Sequence, residues 1–170
     1  MRNLEIKTRV ESLAPFRARL RIMKGAVRES VVRQTDWYFR VPRGRLKLRV
    51  HGGRRSGTLI AYVRPDRRAA RTSDFQLMLV AYAAPTRALL EAMFGVRVCV
   101  RKRREIWLYR NARIHLDTVE RLGTFLEIEV VVTEGMPQAR GLMRDLRAAL
   151  GIGSADLLAA SYGDMPGGRE

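Results

Sequence analysis

Glu5 and Lys7 stand two residues apart in Asn3-Leu4-Glu5-Ile6-Lys7, and three further segments repeat that spacing of charges. They are Lys47 and Arg49 in Leu46-Lys47-Leu48-Arg49, Lys102 and Arg104 in Lys102-Arg103-Arg104, and Glu127 and Glu129 in Leu126-Glu127-Ile128-Glu129-Val130. A period of two is the side-chain period of a β-strand, so each pair lies on one strand face. Leu4, Ile6, Leu46, Leu48, Leu126, Ile128 and Val130 fall on the opposite faces. A sheet with one charged and one apolar face is ordinary. The unusual point is that some strands carry carboxylates and others carry cations. Closed around a shared interior, such strands would set the two signs opposite each other. Carboxylates suit Mg²⁺ or Mn²⁺, and lysines and arginines grip phosphate oxygens. That pairing would suit a metal-bound polyanion.

The elements that must position these residues are mostly short strands. Residues 2–10, 31–41, 45–50, 58–63 and 74–81 read as strands. Residues 96–102 and 105–109 read as two strands or one long one, and 113–119 and 124–133 complete the set. Leu13, Phe16, Leu20, Met23 and Val27 recur at helical spacing after a Ser12 cap. A second helix is expected over 86–94, stopped by Gly95, with Leu89, Leu90, Met93 and Phe94 on its apolar side. A third is expected over 138–150, with Leu142, Met143, Leu146 and Leu150 facing inward. Ser154 reads as the cap of a last short helix to about Ala160. Many short strands with a few helices imply an α+β fold with an antiparallel sheet or barrel and helices outside it.

The chain has 170 residues, enough for one domain with a full core. That domain is expected over 1–165, with a loose tail over 166–170. No apolar run approaches the length of a membrane span, and no signal-peptide pattern opens the chain. The single Cys99, which in its apolar strand context reads as a buried inert thiol, excludes an internal disulfide, and a cytoplasmic location is the default. Cys99, His51 and His115 are too few for a zinc cage of the usual ligand set. The 33 basic and 17 acidic residues give a net charge of +16, a field that favours anionic partners. Nucleic acid is one such partner but not the favoured one, because much of the surplus reads as solvated arginine.

The segments, in order, resemble the CYTH superfamily of triphosphate tunnel metalloenzymes, in particular its class IV adenylate cyclase-like branch. Asn3-Leu4-Glu5-Ile6-Lys7 resembles the N-terminal Glu-x-Glu-x-Lys signature. Gln34-Thr35-Asp36-Trp37-Tyr38-Phe39 and Gly44-Arg45-Leu46-Lys47-Leu48-Arg49 resemble the next blocks. Ala61-Tyr62-Val63-Arg64-Pro65-Asp66, Ile114-His115-Leu116-Asp117 and Leu122-Gly123-Thr124-Phe125-Leu126-Glu127-Ile128-Glu129 follow. Ser161-Tyr162-Gly163-Asp164-Met165 closes the series. The resemblance implies a closed or nearly closed antiparallel barrel of about eight strands around a charged tunnel. It also implies a triphosphate substrate with Mg²⁺ or Mn²⁺. Family members often form homodimers, and no segment of this chain reads as a distinctive interface. The first acidic position of the signature is Asn3, so one negative charge is missing there.

On that resemblance the triphosphate-binding residues are Lys7, Lys47, Arg49, Arg64, Lys102 and Arg104. The metal set is Glu5, Asp117, Glu127 and Glu129, and Glu5 and Lys7 carry the catalytic role. Asp117 could instead pair with a tunnel arginine, and His115 could be a satisfied sheet residue. Trp37, Tyr38 and Phe39 read as core packing before base pocket. Three functions are open: an adenylate cyclase forming cyclic AMP and pyrophosphate, an inorganic or organic triphosphatase, and a non-catalytic binder of polyphosphate, nucleotide or RNA ends.

Overall fold

The alternating segments become eight antiparallel strands that close on themselves. The computed structural model describes residues 2–63 and 70–165. The strands are β1 (Arg2–Val10), β2 (Val27–Phe39), β3 (Arg45–His51), β4 (Gly57–Val63), β5 (Arg71–Val80), β6 (Val96–Tyr109), β7 (Ala112–Val119) and β8 (Gly123–Val131). The helices are α1 (Ala14–Ile22), α2 (Ala83–Phe94) and α3 (Met136–Leu150). Around the barrel the order is β1-β5-β4-β3-β2-β6-β7-β8, and β8 pairs back onto β1. The fold is therefore the expected α+β barrel with helices outside.

The apolar strand faces point outward, because the helices lie there. Leu4, Ile6, Ile114, Leu116, Leu126, Ile128 and Val130 pack with Leu20 of α1 and Leu142, Met143, Leu146 and Leu150 of α3. Fully burying one such side chain contributes about 1.5–3 kcal/mol, so this layer holds that half of the barrel. A second layer joins Phe39 and Leu48 to Ala83 and Leu90 of α2. With both apolar faces committed to helices, the charged faces turn into the barrel. One end of the interior is apolar: Tyr38, Val98, Val100 and Phe125 meet Tyr162 and Met165 from the C-terminal segment.

Four expectations change. The first helix stops at Ile22, not near Val27; Gly25 (φ +89°) turns the chain, and Val27 pairs with Leu108 instead. On α2, Leu90 packs inward while Leu89 and Met93 remain largely exposed. Cys99 is half-buried on the outer side of β6, opposite Trp37, not sealed in the core. No helix forms over 154–160. Leu157 makes a bridge with Thr8 and the Leu158 N–H donates to the Lys7 carbonyl (2.8 Å). Tertiary pairing across the barrel end outweighs the local cap. The tail 166–170 lies outside the described residues. Among those described, no helix is long and apolar enough to cross a membrane.

Candidate functional site

The barrel encloses a cavity of about 310 Å³ whose walls differ in chemistry. Cations from β3 and β6 form one side, and carboxylates from β1 and β8 form another. Ile60 and Tyr62 of β4 and Phe75 and Leu77 of β5 make a third, largely apolar wall. An interior of this size holds one small ligand.

The cation wall is organised around Asp36. This carboxylate is fully buried and takes both nitrogens of an Arg49 fork, Nε to Oδ1 at 2.7 Å and Nη2 to Oδ2 at 2.8 Å. Lys47 Nζ reaches the same Oδ2 at 3.1 Å and Lys102 Nζ at 3.6 Å. Period two brings these groups together: Asp36 stands opposite Arg49 on β3 and Val100 on β6. Burial would raise the Asp36 pKa, but Arg49, Lys47 and Lys102 together hold it well below the usual carboxylate range. Burial pushes Lys47 down to about 8; Arg49 adds to the shift and Asp36 opposes it. Burial, then Arg104, lowers Lys102 as well. One acid among three cations leaves an excess of positive charge in a dry wall, which is the electrostatics of an anion site.

Asp36, which gathers the cations of this wall, is the residue that the sequence reading left out of the site. Its signal was its parity with Gln34 and Tyr38. The neighbouring Trp37-Tyr38-Phe39 run is apolar on both faces, so it conceals that parity. The three aromatics in fact part company. Phe39 lies in the layer under α2 with Trp37 packed against it, while Tyr38 turns inward to the closed end of the barrel.

Two residues along β6 from Lys102, Arg104 links the cation wall to the carboxylates of β7 and β8. Its Nε donates to Asp117 Oδ1 (2.7 Å), and its Nη2 donates to Asp117 Oδ2 and Glu127 Oε2 (both 2.6 Å). The Tyr162 hydroxyl donates to Asp117 Oδ2 at 2.7 Å. Asp117 thus has both oxygens engaged by Arg104 and Tyr162, the pairing left open above. Burial opposes ionisation of Asp117 and Glu127, yet Arg104 with Lys102 holds the first below the usual range, and Lys7 with Arg104 holds the second. Lys7 Nζ lies 3.2 Å from Glu127 Oε1 and 3.6 Å from the centre of the Tyr162 ring. Tyr162 is delivered by a 3-10 turn (Tyr162–Asp164), where the Ser161 hydroxyl donates to Asp164 and Arg45 and Arg97 hold the same carboxylate. Gly163 lets this turn lie close on the Tyr38 ring, which a Cβ there would approach to 3.1 Å.

Glu5, Glu127 and Glu129 share this side, with Glu5 opposite Glu129 across the β1–β8 ladder. His115, Glu127 and Glu129 offer donor atoms that lie within 4.8 Å of one another. Asn3, 5% exposed, lines the same cavity, and its Oδ1 has no hydrogen-bond partner among the described residues. An orphaned carbonyl beside converging carboxylates fits a hard divalent cation. Of the residues expected at the site, Glu5, Lys7, Lys47, Arg49, Lys102, Arg104, Asp117, Glu127 and Glu129 come together on inward strand faces. Arg64 lies outside the described residues.

The defining pattern of the CYTH domain matches residues 1–162. The chain belongs to the CYTH family. No curated protein sequence matches it. Among solved structures, this CYTH barrel is similar to a Pyrococcus horikoshii OT3 protein at 24% identity and TM-score 0.86, over 95% of this chain and 98% of that one. A conserved hypothetical protein from Pyrococcus furiosus gives 19% and 0.85, over 96% and 99%. A suspected adenylate cyclase from Vibrio parahaemolyticus gives 20% and 0.73, over 94% of each chain. At these identities the likeness is one of fold.

Proposed function

We propose that this CYTH protein binds a nucleoside triphosphate with a divalent cation inside the barrel and processes it by an adenylate cyclase-like reaction. The observation that carries the reading is the three-walled cavity. Lys47, Arg49 and Lys102 converge on one side, and Glu5, Glu127 and Glu129 lie on another. The Ile60, Tyr62, Phe75 and Leu77 wall supports an organic group at one end of the phosphate chain, since a bare polyphosphate has no use for apolar contact.

Glu5, Glu127 and Glu129 would hold the Mg²⁺ or Mn²⁺, which supplies charge neutralisation at the phosphates. Lys47, Arg49, Lys102 and Arg104 bind and orient the phosphate chain as a group of converging charges, Arg104 through Nη1 because its Nε and Nη2 already serve Asp117 and Glu127. Lys7, fixed between Glu127 and Tyr162, meets charge developing on a phosphoryl oxygen. Asp117 has a positioning role, keeping the Arg104 fork in place.

The test incubates the protein and either cation with ATP, tripolyphosphate or thiamine triphosphate and resolves the products. Cyclic AMP with pyrophosphate supports the proposal. Phosphate release alone makes the protein a triphosphatase, and tight binding without turnover makes it a binder. Glu129→Gln is expected to lower kcat/KM at least by the roughly 10–100-fold that weaker, outer-shell changes cost at metal sites. Full turnover in that variant would remove Glu129 from the metal set.

Lys47 supplies a further prediction. With its pKa at about 8, roughly three quarters of Lys47 is uncharged at pH 8.5. A bound polyanion favours the charged form, so binding should draw in a proton at this residue. Calorimetry of tripolyphosphate binding at pH 8.5, in two buffers of different ionisation enthalpy, should show more proton uptake by the wild type than by Lys47→Arg. Equal uptake would take Lys47 out of the binding cluster.

A further inference from the structure

Part of the arginine surplus gathers on the outside of the barrel. Two cavities, of about 430 and 290 Å³, open beside α2 and share Trp37 and Arg87 in their walls. The first lies against Tyr82 and Pro85 at the start of α2, and the second reaches Glu91 and Val96 at its far end. With 12 residues at about 1.5 Å each, α2 carries this groove for roughly 18 Å. Arg54, Arg55 and Arg87 line the first cavity, and Arg40, Arg97 and Arg101 the second; among the described residues Glu91 is the one acid in either wall. Arg87, Arg97 and Arg101 pair with Glu91, Asp164 and Glu120. Arg40, Arg54 and Arg55 have no ion pair among the described residues. Tyr82 is 52% exposed and Trp37 half-buried. The Arg55 guanidinium lies 4.4 Å from the centre of the Tyr82 ring, and that of Arg87 lies 5.9 Å from Trp37.

We propose that this groove is a second, exterior binding site, and that it takes single-stranded nucleic acid. The arginines track a phosphate backbone, while Tyr82 and Trp37, with planar guanidiniums beside them, are platforms on which unpaired bases stack. A basic patch without rings would accept any polyanion. Rings set among the charges favour a polyanion that carries a flat group at every repeat, which polyphosphate and acidic peptides lack. A duplex keeps its base faces stacked inside and leaves the rings without a partner. None of the residues lining the groove lines the barrel interior, so this inference does not depend on the triphosphate reading.

The test titrates the full chain into a fluorescein-labelled oligothymidylate of about 12 nucleotides, whose 5′-hydroxyl end offers no triphosphate to the barrel. Anisotropy at several salt concentrations gives the affinity and the salt slope. Arg54→Ala with Arg55→Ala should weaken binding at least tenfold and make the slope shallower by about 1.4, for two phosphate contacts at about 0.7 each. Arg21→Ala with Arg144→Ala removes the same charge from exposed positions on α1 and α3 and should cost less than about threefold. Tyr82→Ala should cost at least about fivefold, the loss of one stacked base, and leave binding of an abasic strand of the same length unchanged. Unlabelled oligothymidylate should quench Trp37, since the other tryptophan, Trp107, is 5% exposed and out of reach. Circular dichroism of each variant establishes that it is folded. Equal losses in the two double variants would overturn the inference, as would no binding at physiological ionic strength. An abasic strand or polyglutamate bound as tightly as oligothymidylate would overturn it in favour of a general polyanion or an acidic peptide.

Discussion

Asp36→Asn is expected to destabilise the protein by about 3–5 kcal/mol, the usual cost of removing one member of a buried ion cluster. The carboxylate is fully buried and is the shared partner of Lys47, Arg49 and Lys102. Asparagine keeps the shape but removes the charge, so three cations face one another across a dry wall. At the slope typical of a chain this size, the melting temperature should fall by on the order of 10 °C. Tripolyphosphate should recover part of the loss, because phosphate oxygens can occupy the charge position that the carboxylate vacated. The ligand-induced rise in melting temperature should then be larger in the variant than in the wild type. The wild-type pH dependence follows from the depressed Asp36 pKa. Its contribution is fully present above the unfolded value near 3.8 and is lost only as pH falls well below it. Thermal denaturation of both proteins, with and without ligand, checks this. An unchanged melting temperature would mean that Asp36 does not hold the wall together.

The site was legible in the sequence wherever alternation was strict. Leu4-Glu5-Ile6-Lys7 and Leu126-Glu127-Ile128-Glu129 leave no doubt about facing, because a one-residue slip would bury every charge under α1 and α3. What alternation cannot show is which side of a sheet the helices cover. These charged faces could as well have met solvent, and only the closure of β8 onto β1 makes them an interior. Asp36 was concealed by its aromatic neighbours. Asp117 was visible as a type but not as a partner, since its contacts with Arg104 and Tyr162 come from strand register and from the C-terminal turn. The expected helix after Ser154 failed for a related reason. Its apolar residues suit a helix locally, but Leu157 and Leu158 are claimed by the backbone of β1.

Replacing Arg104 with Met should make the protein's stability rise as pH is lowered below neutrality. In the wild type, burial works against charge on Asp117 and Glu127, but Arg104 keeps both ionised, with Lys102 assisting the first and Lys7 the second. Their folded-state pKa values are depressed, so the stability they contribute is present above the unfolded values and lost as pH falls through the folded ones. Methionine preserves most of the volume and removes the guanidinium that bonds both carboxylates at 2.6 Å. Two buried acids then share a wall with partial compensation from Lys102 and Tyr162 around Asp117, and from Lys7 and His115 around Glu127. Burial becomes the dominant influence, and their pKa values should rise above the unfolded values. A raised carboxyl pKa means that the folded state binds more protons than the unfolded one. Stability must then increase as pH is lowered from 7 towards 5, a window in which the wild-type contribution of these two groups is nearly constant because it is lost only below their unfolded values. At pH 7 the variant should be less stable by about 3–5 kcal/mol. Arg104→Lys should recover only part of this, because one ammonium cannot reproduce a fork that serves Asp117 twice and Glu127 once. Urea unfolding of the three proteins at pH 5 and pH 7 gives both the size and the sign. A wild-type slope retained in Arg104→Met would show that the two carboxylates do not depend on Arg104 for their charge.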